Sequence, residues 1–111
     1  MILKKRSEFV VVSQKGNRVN TKGLILQARK RAEGENDCHE DLVRFGFTVT
    51  KQSGNSVERN RIRRRLRNIA KESIDIAKPG YDYVVVGKRT ALEREYEDLR
   101  KDLRYAIHNV V

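Results

Sequence analysis

Six arginines and an asparagine fall within nine residues, Arg59-Asn-Arg-Ile-Arg-Arg-Arg-Leu-Arg67, broken only by Ile62 and Leu66. The guanidinium group stays charged, is weakly hydrated and forks bidentately onto phosphate, so the chemistry this run offers is the binding of a polyanion. Ile62 and Leu66 are four residues apart, so on a helix they stack on one face while the guanidiniums fan over the rest. Glu58 and Glu72 lie just outside the run, and no acid lies inside it. Like charges at helical spacing repel by a few tenths of a kcal/mol per pair, roughly, which an external polyanion would relieve. A merely solvated helix face is the bland alternative. Membrane-surface binding is a weaker rival, because it would need large apolar residues on an exposed face.

Catalytic constellations are not apparent. There is no nucleophile with a base and an orienting group, no buried carboxylate pair and no set of metal ligands at suitable spacing. Cys38-His39 supplies two adjacent ligands without companions, a poor metal site. His108 suits the last turn of a closing helix. Gly54 precedes a helix start, but the Gly-Lys-Ser/Thr ending of a nucleotide-binding loop is absent.

The charge pattern says where such a polyanion would meet the chain. The net charge is +10 over 111 residues, enough for one domain spanning 1–111. Residues 1–32 hold nine Lys/Arg and one acid, whereas 33–42 hold five acids and no Lys/Arg. No apolar run reaches membrane-spanning length, and the N-terminal Met-Ile-Leu-Lys-Lys-Arg lacks the apolar stretch of a secretory signal. A single cysteine forms no internal disulfide, which suits a reducing cytosol.

The periodicities predict the elements that would carry these residues. Ser7 is a candidate cap for a short helix to Lys15, with Gly16 as its stop and Phe9 and Val12 on one face. A short strand around Arg18–Asn20 precedes a strand over 22–30, and Glu33–Asp41 reads as an exposed loop. Residues 43–51 alternate: Val43, Phe45, Phe47 and Val49 face the core, and Arg44, Gly46, Thr48 and Thr50 form a small, polar face able to admit a ligand strand. Asn55 with Glu58 makes a capping box for a helix over 56–77. Its inward stripe is Ile62, Leu66, Ile69, Ala70, Ser73 and Ala77. Asn60, Arg63, Arg64, Arg67 and Lys71 lie opposite, with Arg61, Arg65 and Asn68 on a flank. Lys78-Pro79-Gly80 ends the helix, Tyr81–Lys88 is a strand, and Thr90-Ala-Leu-Glu93 reads as the capping box of a long amphipathic helix marked by Leu92, Tyr96, Leu99, Leu103 and Ile107. Three or four strands with helices packed on them make an α/β two-layer arrangement, and a β-α-β unit across the arginine helix is right-handed by default.

The segment from Phe47 through Lys51, Gly54-Asn55 and Arg59-Asn60-Arg61 to Arg67 resembles the signature of the bacterial ribonuclease P protein subunit. The Leu3-Lys-Lys-Arg-Ser-Glu-Phe9 start, the Gly80-Tyr-Asp-Tyr-Val-Val-Val strand and the closing helix fall where that family has theirs. The resemblance implies an αβββαβα sandwich with a small mixed sheet and a left-handed crossover, in place of the default hand. It implies endonucleolytic removal of the 5′ leader from precursor tRNA, catalysed by an RNA subunit that uses Mg2+, with no metal held tightly by the protein. It further implies a cytoplasmic ribonucleoprotein whose partners are the catalytic RNA and the precursor leader, with neither a membrane nor an obligate protein partner. Carried over by position, Lys51, Arg59, Asn60, Arg61, Arg63, Arg64, Arg67 and Lys71 would face the catalytic RNA. Phe9, Arg18, Thr48 and Thr50 would belong to a leader cleft between the sheet and the first helix. Ser13 and Gln27 stand where some members carry aromatics, which implies a grip relying more on hydrogen bonds and charge than on stacking. The alternative to a cleavage cofactor is a general structured-RNA binder, such as a ribosome-associated protein; a protein-only nuclease would need the carboxylate cluster that is missing.

Overall fold

The computed structural model describes residues 2–3, 6–31 and 42–110. Helix α1 (Arg6–Lys15) is followed by β1 (Asn17–Asn20), β2 (Leu24–Lys30), β3 (Arg44–Val49), α2 (Ser56–Glu72), β4 (Tyr81–Gly87), α3 (Thr90–Glu93) and α4 (Tyr96–Asn109), with 3-10 turns at Lys51–Ser53 and Ile74–Ile76. This is the αβββαβα order, with the final helix divided in two. The acidic segment 33–41 lies outside the described residues.

One sheet runs β1-β2-β4-β3. The β1–β2 and β2–β4 pairs are antiparallel, and β3 lies parallel to β4, so β3-α2-β4 is the anticipated crossover between parallel neighbours. Alternation sorts the side chains. Leu24, Leu26, Ala28, Phe45, Val49, Tyr83 and Val85 share a core with Ile62, Leu66 and Ile69 of α2 and Leu99, Leu103 and Ile107 of α4. Each of those fully buried branched side chains contributes about 1.5–3 kcal/mol of transfer free energy. A Cβ on Gly87 would stand 2.6 Å from Ile62 Cγ2, so glycine is what lets α2 cross close over the end of β4.

The opposite face carries a smaller apolar cluster of Leu3, Val12 and Val84, with Phe9 and Val86 against it. That cluster seats α1. The helix begins at Arg6, so Ser7 sits inside its first turn rather than capping it, while Gly16 N–H closes the end on Val12 O at 2.9 Å.

Two further expectations are corrected. Arg44 does not belong to an open ligand-facing surface: it is 5% exposed, with Nε and Nη2 on Asp82 at 2.7 and 2.6 Å and Nη1 on Glu8 at 2.7 Å. A charge that cannot reach water needs such partners, and they come from β4 and α1. The Thr90/Glu93 capping box does not form either. The Thr90 hydroxyl donates instead to Lys22 O at 2.6 Å, and α3 stops after four residues, where Arg94 and Glu95 turn extended (ψ 144° at both). At the other end of α2, regular helix gives way at Ser73, whose Oγ donates back to Ile69 O at 2.9 Å.

Candidate nucleic-acid interface

The start of α2 is held from both directions. Asn55 Oδ1 accepts from Glu58 N–H at 2.9 Å, and Glu58 Oε1 accepts from Asn55 N–H at 3.0 Å, the reciprocal bonds of the capping box. Arg89 adds a bridge, with Nη2 3.2 Å from Glu58 Oε2 and Nη1 donating to Ser53 O at 3.1 Å. The Asn55 N–H bond first, and the Arg89 guanidinium second, hold the Glu58 carboxyl below its ordinary value of 4.5. Gly54, at φ +145°, leaves room for this clasp, since a Cβ there would lie 2.8 Å from Glu58 Oε1 and 2.9 Å from Arg89 Nη1.

From that anchored start the helix presents its polar face outward. Asn60, Arg61, Arg64, Arg67 and Lys71 are exposed, and Arg59 and Arg63 are half-buried. Arg63 Nη1 donates to Asn60 Oδ1 at 2.7 Å, and Arg59 Nη2 lies 3.4 Å from Ser56 Oγ. Val57, Asn60, Arg63, Arg64 and Arg67 line a shallow groove of about 370 Å³. Arg67 stands over the Phe47 ring, 5.9 Å from its centroid, which couples the basic face to the edge strand β3. Lys51 is exposed in the 3-10 turn that leads into the helix. Among the described residues, none of the run's six arginines forms an ion pair with a carboxylate; the acids on neighbouring elements pair with Arg89, Arg94, Arg100 and Arg104 instead.

One member of the run is spent internally. Arg65 donates from Nη1 to Ala91 O and Leu92 O at 2.7 and 3.0 Å, and from Nη2 to Arg94 O at 2.6 Å. Those carbonyls close the four-residue α3, where helical partners run out. Arg65 therefore acts as a cap supplied from another helix. Its flank position hinted at a different role from Arg64, but nothing in the local sequence marks the acceptors.

Between α1 and the sheet lies an open cleft of about 650 Å³, lined by residues that include Arg6, Phe9, Ser13, Gln27, Thr48 and Val84. Phe9 sits directly over Gly46, where a Cβ would come within 2.6 Å of the ring. Arg18 is paired with Gln27 across β1 and β2, so it extends the same face toward the sheet edge. The structure thus brings Phe9 and Thr48 into one cleft and sets Arg18 on its flank. Thr50 is not among the lining residues; it is exposed at the end of β3, its hydroxyl 3.3 Å from Ser53 Oγ.

Among the described residues, no group of three or more His, Cys, Asp or Glu is arranged to hold a metal ion, and Cys38-His39 lies outside them. No described helix is long and apolar enough to cross a membrane.

The family model for ribonuclease P matches residues 1–111. This chain belongs to the ribonuclease P protein family. It is 46% identical over 109 residues to the ribonuclease P protein component of Paramagnetospirillum magneticum, covering 97% of this chain and 80% of that one. Against the component from Gluconacetobacter diazotrophicus it is 43% identical over 104 residues, covering 92% and 84%. The solved ribonuclease P protein of Thermotoga maritima superposes with a TM-score of 0.81 at 21% identity, covering all of this chain and 98% of the other; that of Staphylococcus aureus gives 0.79 at 24%, covering 98% and 95%. At those identities the structures speak for the fold, and the sequence relatives carry the family. Membership makes the chain an RNA-binding subunit of a ribonucleoprotein endoribonuclease of tRNA processing, and a general RNA binder without a part in cleavage is not favoured.

Proposed function

We propose that the outer face of α2 holds the catalytic RNA of ribonuclease P, and that the α1–sheet cleft takes the single-stranded 5′ leader of precursor tRNA. The RNA-facing residues are Lys51, Arg59, Asn60, Arg61, Arg63, Arg64, Arg67 and Lys71; the leader meets Phe9, Thr48 and Arg18. The single observation that carries this reading is that, among the described residues, the α2 guanidiniums have no carboxylate partner, although acids on adjacent elements pair with other arginines. A large RNA folds against its own phosphate repulsion, and cations fixed on a rigid helix lower that cost. Contacts to the leader are ones that only precursor can make, so they favour substrate over product. In this reading Mg2+ is bound by the RNA subunit and supplies the Lewis acid for hydrolysis, and the work is done in the cytoplasm.

The test is reconstitution with the RNA subunit. Arg59→Ala with Arg61→Ala weakens assembly, and removing two phosphate contacts flattens the slope of log K against log salt by about 1–2. Affinity unchanged across the salt titration refutes the assignment of the α2 face. Wild-type protein stimulates leader cleavage at low Mg2+; binding without stimulation would instead favour an RNA binder with no part in cleavage.

A further inference from the structure

We propose that Glu8 is a positioning residue for leader binding: its ion pair with Arg44 fixes α1 at the height over the sheet that the cleft requires. The inference rests on the leader-cleft reading given above. Arg44 distributes one guanidinium over two elements, Nε and Nη2 on Asp82 of β4 and Nη1 on Glu8 of α1 at 2.7 Å. Asp82 also takes Arg31 Nη1 at 2.5 Å, and Arg31 Nη2 donates to Leu42 O, so the same group ties the end of β2 to the approach to β3.

A network this deeply buried is a poor device for stability alone, because well-packed apolar residues commonly serve as well without the desolvation cost. What it adds is direction. The guanidinium is planar and three of its nitrogens are engaged, so the Glu8 carboxylate has one place to be relative to β3 and β4. The apolar seat of α1, formed by Leu3, Val12 and Val84, is non-directional and would tolerate a roll or slide of the helix. Glu8 immediately precedes Phe9, whose ring rests on Gly46, two residues along the same face from Arg44. A shift of α1 would therefore change the spacing between Phe9 and the Gln27–Thr48 floor, the space a nucleotide would fill. Removing Glu8 leaves Arg44 on Asp82, so the tie to α1 can be cut without stranding a buried cation.

The experiment uses holoenzyme reconstituted with the RNA subunit and compares binding of precursor tRNA with that of mature tRNA lacking the leader. Glu8→Ala lowers the precursor-over-mature ratio by about three- to tenfold, a fraction of what base stacking and its placement supply. Affinity for the RNA subunit stays at the wild-type value. Glu8→Gln, which keeps an oxygen acceptor for Arg44, gives a ratio between the two. Phe9→Ala lowers the ratio independently and reports on the cleft itself. If Phe9→Ala lowers the ratio and Glu8→Ala leaves it untouched, the positioning role is wrong and the cleft reading stands. If both leave it untouched, the cleft reading fails and takes the proposal with it. A Glu8→Ala loss matched by an equal loss of RNA-subunit affinity and a lowered thermal midpoint would mark general unfolding and overturn the proposal.

Discussion

Arg64 and Arg65 are neighbours of the same type in the same basic run, and the structure predicts opposite consequences for their loss. Arg64 is exposed and lines the α2 groove. Arg65 makes three short bonds, of 2.6, 2.7 and 3.0 Å, to the carbonyls that terminate α3. Replacing each by methionine keeps much of the aliphatic stem and removes the guanidinium. For Arg65→Met, hydrogen bonds to a charged donor contribute about 1.5–3 kcal/mol each. The three share one group, so the sum is not additive. A net loss of about 2–4 kcal/mol follows. In a domain of this size that corresponds to a fall of about 10–20 °C in thermal midpoint. Arg64→Met, a surface change, should move stability by less than about 0.5 kcal/mol. Affinity for the RNA subunit, measured well below both midpoints, should reverse the order: Arg64→Met weakens it and flattens the salt slope by about one phosphate contact, whereas Arg65→Met retains it. Urea denaturation with a constant m-value would show that stability, and not compactness, has changed. Equal midpoints for the two variants, or equal losses of RNA affinity, would refute the division of labour within the run.

Three further outcomes are expected. Asp82→Asn leaves Arg31 and Arg44 without their shared counter-charge and should cost about 3–5 kcal/mol in chemical denaturation; a loss under about 1 kcal/mol would mean that water or other groups compensate. Gly46→Ala drives a methyl into the Phe9 ring, and should reduce precursor-over-mature discrimination while leaving RNA-subunit affinity intact. Glu58 carries a lowered pKa in the folded state, so the stability it contributes is fully present above its ordinary value of 4.5 and is lost as pH falls through the lowered folded value. The stability difference between wild type and Glu58→Gln should therefore hold constant near neutrality and shrink on acidification; a difference that grows toward acid would contradict the capping geometry.

How much of this was legible in the chain depended on the range of the interactions involved. The start and inward face of α2 could be read, because its capping box spans three residues and its stripe from Ile62 to Ala70 repeats at helical period, and both signals are local; the expected end at 77 overran the helix, which stops at Glu72 before a 3-10 turn. The strand alternation likewise separated the core face from the polar face, and it was the family resemblance that set the first helix over the latter. Arg44 could not be placed correctly in the same way. Its alternation with Phe45 puts it on the polar face, as predicted, but whether that face is wet or dry there depends on Asp82, thirty-eight residues later, and on Glu8, thirty-six residues earlier. The Thr90/Glu93 pattern misled for a related reason: the tertiary fold makes Thr90 the first residue of α3 rather than the residue before it, and its hydroxyl is turned toward Lys22 O, sixty-eight residues away. Arg65 shows the converse, a residue whose local setting says RNA and whose partners, twenty-six to twenty-nine residues away, make it structural. Composition and period thus locate a cationic face reliably, but which cations remain free to meet phosphate is decided by carbonyls and carboxylates that only the tertiary fold brings near. In this chain that sorting turns Arg65, Arg31 and Arg44 inward onto carbonyls and carboxylates, whereas Arg61, Arg64 and Arg67 on the outer face of α2 stay exposed, as the proposed RNA-binding face requires.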